Sequence, residues 1–315
     1  MVDHIPVVHG YGAFAERVLA AADLAGRQAV VWRDPDQLRA GLGEVRALLG
    51  VYFPPLDWSA AHQLRLIQLA GSGADGLLPA RGLPAAVLIA NSRGLSAPAM
   101  AEFAVAAILA LAKRFPAALS HQRAHRWQPE PPVLLRGRRA VVLGTGPVGT
   151  EVARLLRGLG VVVTGVRRTA RPAPDFDDIR TVDDLPDALS GAHVVVVAVP
   201  ATTGTRGMLD AEALRRCAPG CLLVNIGRGG VVEEDAVAAL LREGHLAGAA
   251  LDVFAVEPLP ADSPLWDAPG ALLTPHVSWT TPGYERMVAD LFLDNVARVE
   301  RGEPVRNRVD PSRGY

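Results

Sequence analysis

Three polar residues in the C-terminal half of the chain have the side-chain types that carbonyl reduction requires. Arg228 stands in the glycine-flanked segment NIGRGG, Glu257 follows the apolar run GAALDV, and His276 follows the run LLTP. Hydride addition to a carbonyl carbon builds negative charge on the oxygen, so it calls for a proton donor that titrates near neutral pH, as histidine does. A carboxylate partner would favour the protonated imidazole and orient it, and an arginine would bind and polarise a carboxylate or carbonyl group.

Position distinguishes these residues from ordinary surface charges. A loop arginine or glutamate is usually solvated, and a lone histidine is usually structural. Each of the three, however, follows an apolar run of strand character. Ligands of open parallel α/β sheets bind outside the carboxyl ends of the strands. We therefore predict that Arg228, Glu257 and His276 form one catalytic set.

The same half of the chain contains a glycine fingerprint. Residues 144–149 read GTGPVG, directly between the apolar run AVVL and the helical pattern TEVARLLRGLG. The alternative is a plain glycine turn, but a strand before and a helix after are the context that a dinucleotide pyrophosphate needs. The predicted cofactor-binding residues of this turn are Gly144, Gly146, Pro147, Val148 and Gly149.

The end of the next predicted strand suggests which cofactor is used. A carboxylate that binds the adenosine ribose is expected about twenty residues beyond the fingerprint. This chain instead has Arg167, Arg168 and Thr169 there. Two arginines and a hydroxyl suit a 2′-phosphate, although they could also be solvated surface groups. The sequence thus favours NADP(H), with NAD(H) as the alternative.

Alternating strands and helices must position all of these residues. Short apolar runs at 5–9, 28–32, 47–53, 64–71 and 87–91 predict strands, with a helix at 13–26. Residues 96–115 predict one long buried helix that begins with Ser96 as N-cap, and a proline-rich connector follows. A second alternation then runs from RRAVVLG to ALLTPHV. Two runs of this kind predict two α/β domains with parallel sheets.

Composition excludes several classes of protein. The 315 residues have a net charge of −1, so no basic field would attract nucleic acid or anionic membrane. The apolar runs are too short to span a bilayer, and the N-terminus lacks a signal pattern. Cys217 and Cys221 have no companion Cys or His cluster. We therefore expect a reduced, cytoplasmic protein without a metal site.

From about residue 91 to residue 309 the chain resembles the D-isomer-specific 2-hydroxyacid dehydrogenase family. The segments that carry the resemblance are NSRGLSAPAMAEFAVAAILAL, GTGPVG, VPATTGTRGML, CLLVNIGRGGVVEEDAVAAL, ALDVFAVEPLP and TPHVSW, in the family's order. The resemblance implies that Arg228, Glu257 and His276 match the family's catalytic residues. It also implies that Asp252 lies near the nicotinamide carboxamide, and that Pro200, Thr205 and Ile226 line the cofactor.

Two further positions bear on the substrate. The loop AGSGADG at 70–76 resembles the one whose backbone amides bind the substrate carboxylate, which implies substrate binding by Ser72 and Gly73. Many members of the family have a small residue at the position of Trp279. In having a tryptophan there, the chain resembles bacterial glycerate dehydrogenases and hydroxypyruvate reductases. This implies a small 2-keto acid such as glyoxylate or hydroxypyruvate. Alternatively, Trp279 only fills an interdomain cleft.

The resemblance also implies two Rossmann-like domains with doubly wound parallel sheets. Residues 1–94 and 284–315 would form a discontinuous substrate domain, and residues 95–283 the NAD(P)-binding domain. Substrate would bind in the cleft between them. The helix at 98–115 and the proline-rich arm at 125–135 resemble the family's dimer contact, so a homodimer is expected, although the helix could equally be core.

Two alternatives remain open at this level. The first is a dehydrogenase of the same family acting on 3-phosphoglycerate, phosphite or another substrate. A phosphorylated substrate would need added cations in the N-terminal part, where Arg81 and Arg93 are nearest to the substrate loop in sequence. The second is a cofactor-sensing, corepressor-like protein without catalysis. An intact catalytic set argues against the second alternative.

Overall fold

The computed structural model of the chain describes residues 4–74, 77, 78 and 80–311. The elements before residue 95 are β1 (Val7–Tyr11), α1 (Ala13–Ala20), β2 (Gln28–Trp32), α2 (Pro35–Gly41), β3 (Ala47–Gly50), a 3-10 helix (Trp58–Ala60), β4 (Leu66–Leu69) and β5 (Leu88–Ala90). Those that follow are α3 (Ala97–Ala112), α4 (Phe115–Arg123), β6 (Arg139–Leu143), α5 (Pro147–Gly158), β7 (Val162–Arg167), β8 (Asp178–Thr181), α6 (Leu185–Leu189), β9 (Val194–Val197), α7 (Ala211–Arg215), β10 (Cys221–Asn225), α8 (Glu234–Arg242), β11 (Leu246–Leu251), β12 (Ala271–Leu273) and α9 (Tyr284–Arg301).

The chain divides into two compact units. Unit 1 consists of Met1–Leu95 and Thr281–Tyr315, and unit 2 consists of Ser96–Thr280. The chain thus leaves unit 1, builds all of unit 2 and returns, with its divisions after Leu95 and Thr280. The divisions predicted from sequence lie after residues 94 and 283, with substrate binding predicted for the first unit and cofactor binding for the second.

Unit 1 is built on a parallel sheet. Among the described residues the strand order is β2-β1-β3-β4-β5, and every pairing is parallel. The returning helix α9 is tied to this sheet, because the Tyr284 hydroxyl donates to the carbonyl of Ala70 at 2.8 Å. Glu300, near the end of α9, accepts from the backbone N–H of Ile5 at 2.7 Å and from Arg27 at 2.8 Å. These bonds explain why two separate segments form one unit.

Unit 2 is built on a longer parallel sheet with the order β12-β11-β10-β9-β6-β7-β8. The strand order reverses between β6 and β9, which is the switch point where doubly wound sheets bind ligands. Alternate residues of the central strands enter separate cores on the two faces. Val195 and Val197 pack in one core and Val194 and Val196 in the other. Helices therefore cover both faces, and the prediction of two doubly wound α/β units is confirmed.

The structure corrects two helix predictions. The long helix predicted for 96–115 ends at Ala112, Arg114 has a φ of 59°, and α4 then begins with Pro116 in its first turn. The left-handed backbone of Arg114 interrupts the helical path, and proline suits the first turn of the helix that begins after it, so two helices form here. The helix predicted for 13–26 ends at Ala20. Beyond that end, the side chain of Asp23 accepts from the backbone N–H of Ala25, a local bond that competes with helical pairing.

None of the described helices is by itself long and apolar enough to cross a bilayer. Helices α3 and α4 reach that length and apolar character only when taken together, and they are bent by 62° at the break between them.

Candidate active site

The glycine fingerprint forms the turn from β6 into α5, at the switch point of unit 2. Gly144 has a φ of 98°, and a Cβ there would lie 2.6 Å from the carbonyl oxygen of Ala198. A Cβ on Gly149 would lie 1.8 Å from the carbonyl oxygen of Gly144, so this position cannot carry a side chain without moving the backbone. The first and last glycines are therefore required by the turn and by the close packing of helix on strand.

Gly146, the middle glycine, has a different role. It is the N-cap residue of α5, and a Cβ there would meet nothing within 4 Å. Gly146 has no side chain to cap the first backbone N–H groups of α5, and Pro147 lies in the first turn of this helix. Exposed N–H groups at a helix N-terminus attract anions, and open space beside them lets a phosphate approach the backbone. A dinucleotide pyrophosphate fits this turn.

The end of β7 lacks a carboxylate. Arg167 is the last residue of the strand and is half-buried, whereas Arg168 and Thr169 are exposed beyond it. β7 pairs directly with β6, the strand that leads into the fingerprint. The cationic pair is therefore at the carboxyl end of the strand next to the phosphate turn, where an adenosine ribose would lie.

The loop after β9, on the other side of the switch point, is held by Thr205. Its hydroxyl donates to the carbonyl oxygen of Pro200 at 2.6 Å and accepts from the backbone N–H of Thr202 at 2.8 Å. Ile226 follows β10 with its side chain buried in the core. Of these predicted cofactor-lining residues, Pro200 and Thr205 thus share one rigid turn, and Ile226 belongs to the next strand end.

Glu257 and His276 form a hydrogen-bonded pair. Glu257 Oε2 lies 2.8 Å from His276 Nδ1, while Glu257 Oε1 accepts from the backbone N–H of Phe254 at 3.0 Å. Each side chain is about one-third exposed, at 36% and 31% respectively. A carboxylate bonded to one ring nitrogen leaves the other nitrogen to meet a substrate. This is the arrangement of an oriented acid-base histidine.

Arg228 stands in a turn that Asn225 holds in place. Asn225, the buried last residue of β10, donates from Nδ2 to the carbonyl oxygen of Arg228 at 3.0 Å and accepts from the N–H of Gly227 at 3.1 Å. A Cβ on Gly229 would lie 1.9 Å from the backbone of Phe254, so the Arg228 turn packs against the segment that leads to Glu257. The structure therefore places the loops of Arg228 and Glu257 in contact.

Asp252 is buried directly after β11 and binds the segment that carries His276. Its carboxylate accepts from the Thr274 hydroxyl at 2.7 Å and from the backbone N–H groups of Val277 and Ser278, each at 2.9 Å. The indole of Trp279 is half-buried and donates to the carbonyl oxygen of His276 at 3.0 Å. Asp252 and Trp279, assigned above to cofactor and substrate, both contact the histidine segment.

Sequence reasoning missed Asn225, Thr274 and Glu234 as supports of the site. Glu234 of α8 accepts from the backbone N–H of Ala255, two residues before Glu257, at 2.6 Å. Asn225 carried a usable signal, because it is the one polar residue in the run CLLVN. Thr274 and Glu234 carried none, since polar residues are common at loop and helix starts.

Ser72 and Gly73 lie in unit 1, after β4. The backbone carbonyl of Ser72 accepts from the side chain of Asn91 at 2.8 Å, which fixes the start of the loop. Residues 75 and 76 of the predicted loop at 70–76 lie outside the described residues. Across the described ranges, no group of three His, Cys, Asp or Glu side chains could hold a metal ion.

Comparison with known proteins places this site in a family. Residues 105–278 match the sequence model of the NAD binding domain of D-isomer specific 2-hydroxyacid dehydrogenases. The chain belongs to the D-isomer specific 2-hydroxyacid dehydrogenase family. This enzyme is therefore an oxidoreductase that interconverts 2-keto and 2-hydroxy acids.

Named relatives and solved structures agree with the family. Glyoxylate/hydroxypyruvate reductase A of Klebsiella pneumoniae (strain 342) is 32% identical over 84% of this chain and 86% of its own. A D-isomer specific 2-hydroxyacid dehydrogenase of Xanthobacter autotrophicus Py2, solved with NADPH and MES, is 33% identical with a TM-score of 0.85, over 98% of this chain and 99% of its own. The NADPH-dependent glyoxylate/hydroxypyruvate reductase of Sinorhizobium meliloti, solved with NADP and sulfate, is 27% identical with a TM-score of 0.88, over 99% and 100%.

Proposed function

We propose that this dehydrogenase uses NADPH to reduce a small 2-keto acid, glyoxylate or hydroxypyruvate, to the D-2-hydroxy acid. The observation that carries the proposal is the 2.8 Å bond between Glu257 and His276 Nδ1, in a chain of this family. The similarity of the chain to the glyoxylate/hydroxypyruvate reductases of Klebsiella pneumoniae and Sinorhizobium meliloti supports this choice of substrate. Trp279 beside His276 favours a small acid, because a bulky indole reduces the space for a side chain.

His276 is the proton donor in this mechanism. NADPH, when bound, supplies the hydride. His276 in its imidazolium form donates a proton from Nε2 to the carbonyl oxygen as negative charge develops there. Glu257, bonded to Nδ1, stabilises the imidazolium and keeps the ring from rotating. The same pair accepts the proton when the reaction runs toward the keto acid.

Arg228 binds the substrate and polarises it. Its guanidinium carries fixed donors that suit a carboxylate or a developing oxyanion. The turn that presents it is held by Asn225 at 3.0 Å, so little reorganisation is needed on binding. Ser72 and Gly73 of unit 1 are proposed to bind the substrate carboxylate through backbone amides.

The proposed cofactor site uses the residues that follow β6, β7 and β9. Gly146 and the N-terminus of α5 would hold the pyrophosphate, as the open space beside Gly146 permits. Arg167 and Arg168 would hold the 2′-phosphate, and Pro200 and Thr205 would line the cofactor. Two neighbours of known structure contain NADPH or NADP, which supports the preference for the phosphorylated cofactor.

Changing Arg167 to aspartate is expected to reverse this preference. The substitution removes a cation from the 2′-phosphate and supplies the carboxylate that binds ribose hydroxyls. Losing one charge-assisted bond should lower the ratio of kcat/KM for NADPH to that for NADH by about 10- to 100-fold. Steady-state rates with both cofactors measure the ratio, and Arg215→Asp, on α7, is the control for the change in charge. An unchanged ratio in Arg167→Asp would remove the argument for a 2′-phosphate site.

We further propose that the enzyme is a homodimer. Large apolar side chains are exposed on α4 and the segment after it, namely Phe115 (57%), Leu119 (53%), Trp127 (101%) and Leu134 (67%). Several large apolar groups exposed within one short stretch of chain favour a protein-contact surface. The double variant L119S/W127S is therefore expected to have half the molar mass of the wild type by light scattering after gel filtration. A wild type that elutes with the mass of one chain would contradict the dimer.

The function is tested by a steady-state assay of the purified enzyme. Glyoxylate, hydroxypyruvate, pyruvate and 3-phosphohydroxypyruvate are each compared with NADPH and NADH, and the product is resolved on a chiral column. We expect the highest kcat/KM with NADPH and one of the first two acids, and a D product from hydroxypyruvate. Turnover of 3-phosphohydroxypyruvate alone would replace the proposed substrate. Absence of cofactor oxidation with every 2-keto acid would contradict the proposed function itself.

A further inference from the structure

His276 has an unusual backbone conformation for a residue with a proposed catalytic role. Its φ is 53°, in the left-handed region that non-glycine residues rarely adopt. Such a conformation is unfavourable and persists only where the surrounding structure fixes it. The bonds that fix it therefore decide where the imidazole is presented.

A single buried carboxylate supplies most of these bonds. Asp252 is 1% exposed, and it accepts hydrogen bonds on both sides of His276 in the sequence. On one side the donor is the hydroxyl of Thr274, and on the other the donors are the backbone N–H groups of Val277 and Ser278. Two donors that follow His276 directly and one that precedes it clamp the turn at its centre.

Asp252 is itself fixed by the sheet. Its backbone N–H donates to the carbonyl oxygen of Asn225 at 3.0 Å, at the carboxyl ends of two paired strands. Asn225 also holds the turn of Arg228. Asp252 therefore connects the His276 turn to the carboxyl end of β11 and, through Asn225, to the turn of Arg228.

Trp279 completes the clamp from the other end of the turn. Its indole N–H donates to the carbonyl oxygen of His276 at 3.0 Å. Rotation of His276 to an ordinary negative φ would require the flanking peptide groups to turn, and the bonds from Trp279 and to Asp252 oppose that rotation. The indole therefore acts on the backbone of the same residue whose ring is bonded to Glu257.

We propose that Asp252 and Trp279 are positioning residues, which hold the His276 backbone in its left-handed conformation and so present the imidazole with Nδ1 on Glu257 and Nε2 toward the substrate. The inference rests on the proposed role of His276 as proton donor. For Asp252 this role differs from the contact with the nicotinamide carboxamide that the family resemblance implies. A carboxylate has about four acceptor sites, and the His276 turn uses three of those of Asp252.

A double-mutant cycle tests the proposal. Asp252→Asn leaves one carbonyl oxygen where two carboxylate oxygens accepted bonds, and Trp279→Phe removes only the indole N–H and the larger ring. In the wild-type background we expect kcat to fall about 100-fold for Asp252→Asn, since a displaced acid loses about this much, and about tenfold for Trp279→Phe. In the His276→Ala background each substitution should change kcat less than about twofold, because a positioning residue has nothing left to position.

Two further measurements separate positioning from other roles. The dissociation constant for NADPH, from fluorescence titration, should stay within about twofold of the wild type in both variants. The pH profile of kcat should also differ from that of the wild type in both variants, because each changes how the proton donor is held. Asp184→Asn is the matched control, because Asp184 also accepts from a threonine hydroxyl and a backbone N–H, next to the opposite edge strand β8. It should leave kcat and the pH profile unchanged.

The outcomes are distinguishable. The positioning role would be overturned if the loss of kcat from Asp252→Asn or Trp279→Phe were as large in the His276→Ala background as in the wild type. It would also be overturned if either variant bound NADPH more weakly but retained its kcat, a result that would favour a cofactor contact. If Asp252→Asn does not fold, Trp279→Phe and Thr274→Val complete the same cycle by removing one bond each. A His276→Ala variant with wild-type kcat would instead refute the proposed function, whatever the two positioning variants do.

Discussion

Replacing His276 with alanine is expected to lower kcat for keto-acid reduction by about 10²- to 10⁴-fold, the range that general acid catalysis supplies. In the proposed mechanism the proton from His276 is needed only as charge develops on the carbonyl oxygen, so the loss falls on the transition state. The fingerprint turn at Gly144–Gly149 is formed by different strand and helix ends. Affinity for NADPH should therefore remain within about twofold of the wild-type value.

The measurement compares kcat and the NADPH dissociation constant in the same preparations. The pH dependence of kcat that proton donation imposes on the wild-type enzyme should be absent from the residual activity of His276→Ala. His62→Ala is a suitable control, because His62 is exposed and contacts the carbonyl of Ala60 in unit 1. Equal losses of kcat and cofactor affinity in His276→Ala would indicate a structural role for the histidine.

The loops that carry Glu257, Arg228 and His276 are held in the same way. Each belongs to a loop after a parallel strand, and each loop is held by a polar side chain near a strand or helix end: Glu234 for Glu257, Asn225 for Arg228 and Asp252 for His276. Loops alone would allow the side chains to move by more than acid catalysis tolerates. These bonds connect the three loops, and the proposed catalytic groups that they carry, to the ends of strands and of α8.

Much of this arrangement could be predicted because it depends on local pattern. A strand buried on both faces needs a continuous apolar run, as in Val194–Val197. A phosphate turn needs glycines at fixed offsets, as in Gly144–Gly149. Catalytic chemistry restricts residue types, and parallel topology gathers the strand ends at one edge. Each of these patterns can be recognised in the sequence alone.

Other features depend on partners that are distant in sequence. Strand β8, Asp178–Thr181, was not predicted, because DIRT is a short polar edge strand paired only with β7. The bonds of Asp252 to the backbone N–H groups of Val277 and Ser278 join residues that are 25 and 26 positions apart in the chain. The left-handed backbone of His276 follows from those bonds. No local pattern predicts a conformation that tertiary contacts impose.

Replacing Arg228 is expected to produce the second large effect on catalysis. Arg228→Ala should lower kcat/KM for the keto acid by about 10²- to 10³-fold, the loss that follows removal of one preorganised donor to a developing oxyanion. Asn225 fixes the turn through the backbone carbonyl of Arg228, a bond that the alanine variant retains. The turn should therefore keep its shape, and thermal stability should change little. Arg242→Ala, an exposed arginine of α8 bonded to the carbonyl of Pro264, is the control for loss of a guanidinium.

Arg228→Lys distinguishes charge from geometry. Lysine keeps the positive charge but replaces the planar fork with a single ammonium group, which cannot make two parallel bonds to a carboxylate. If bidentate binding is the role of Arg228, the lysine variant should recover less than about a tenth of the activity that alanine loses, with KM for the keto acid raised. Recovery of nearly full kcat/KM in Arg228→Lys would show that the site requires only a cation. A wild-type kcat/KM in Arg228→Ala would remove Arg228 from the catalytic set, because its turn and its neighbours remain in place.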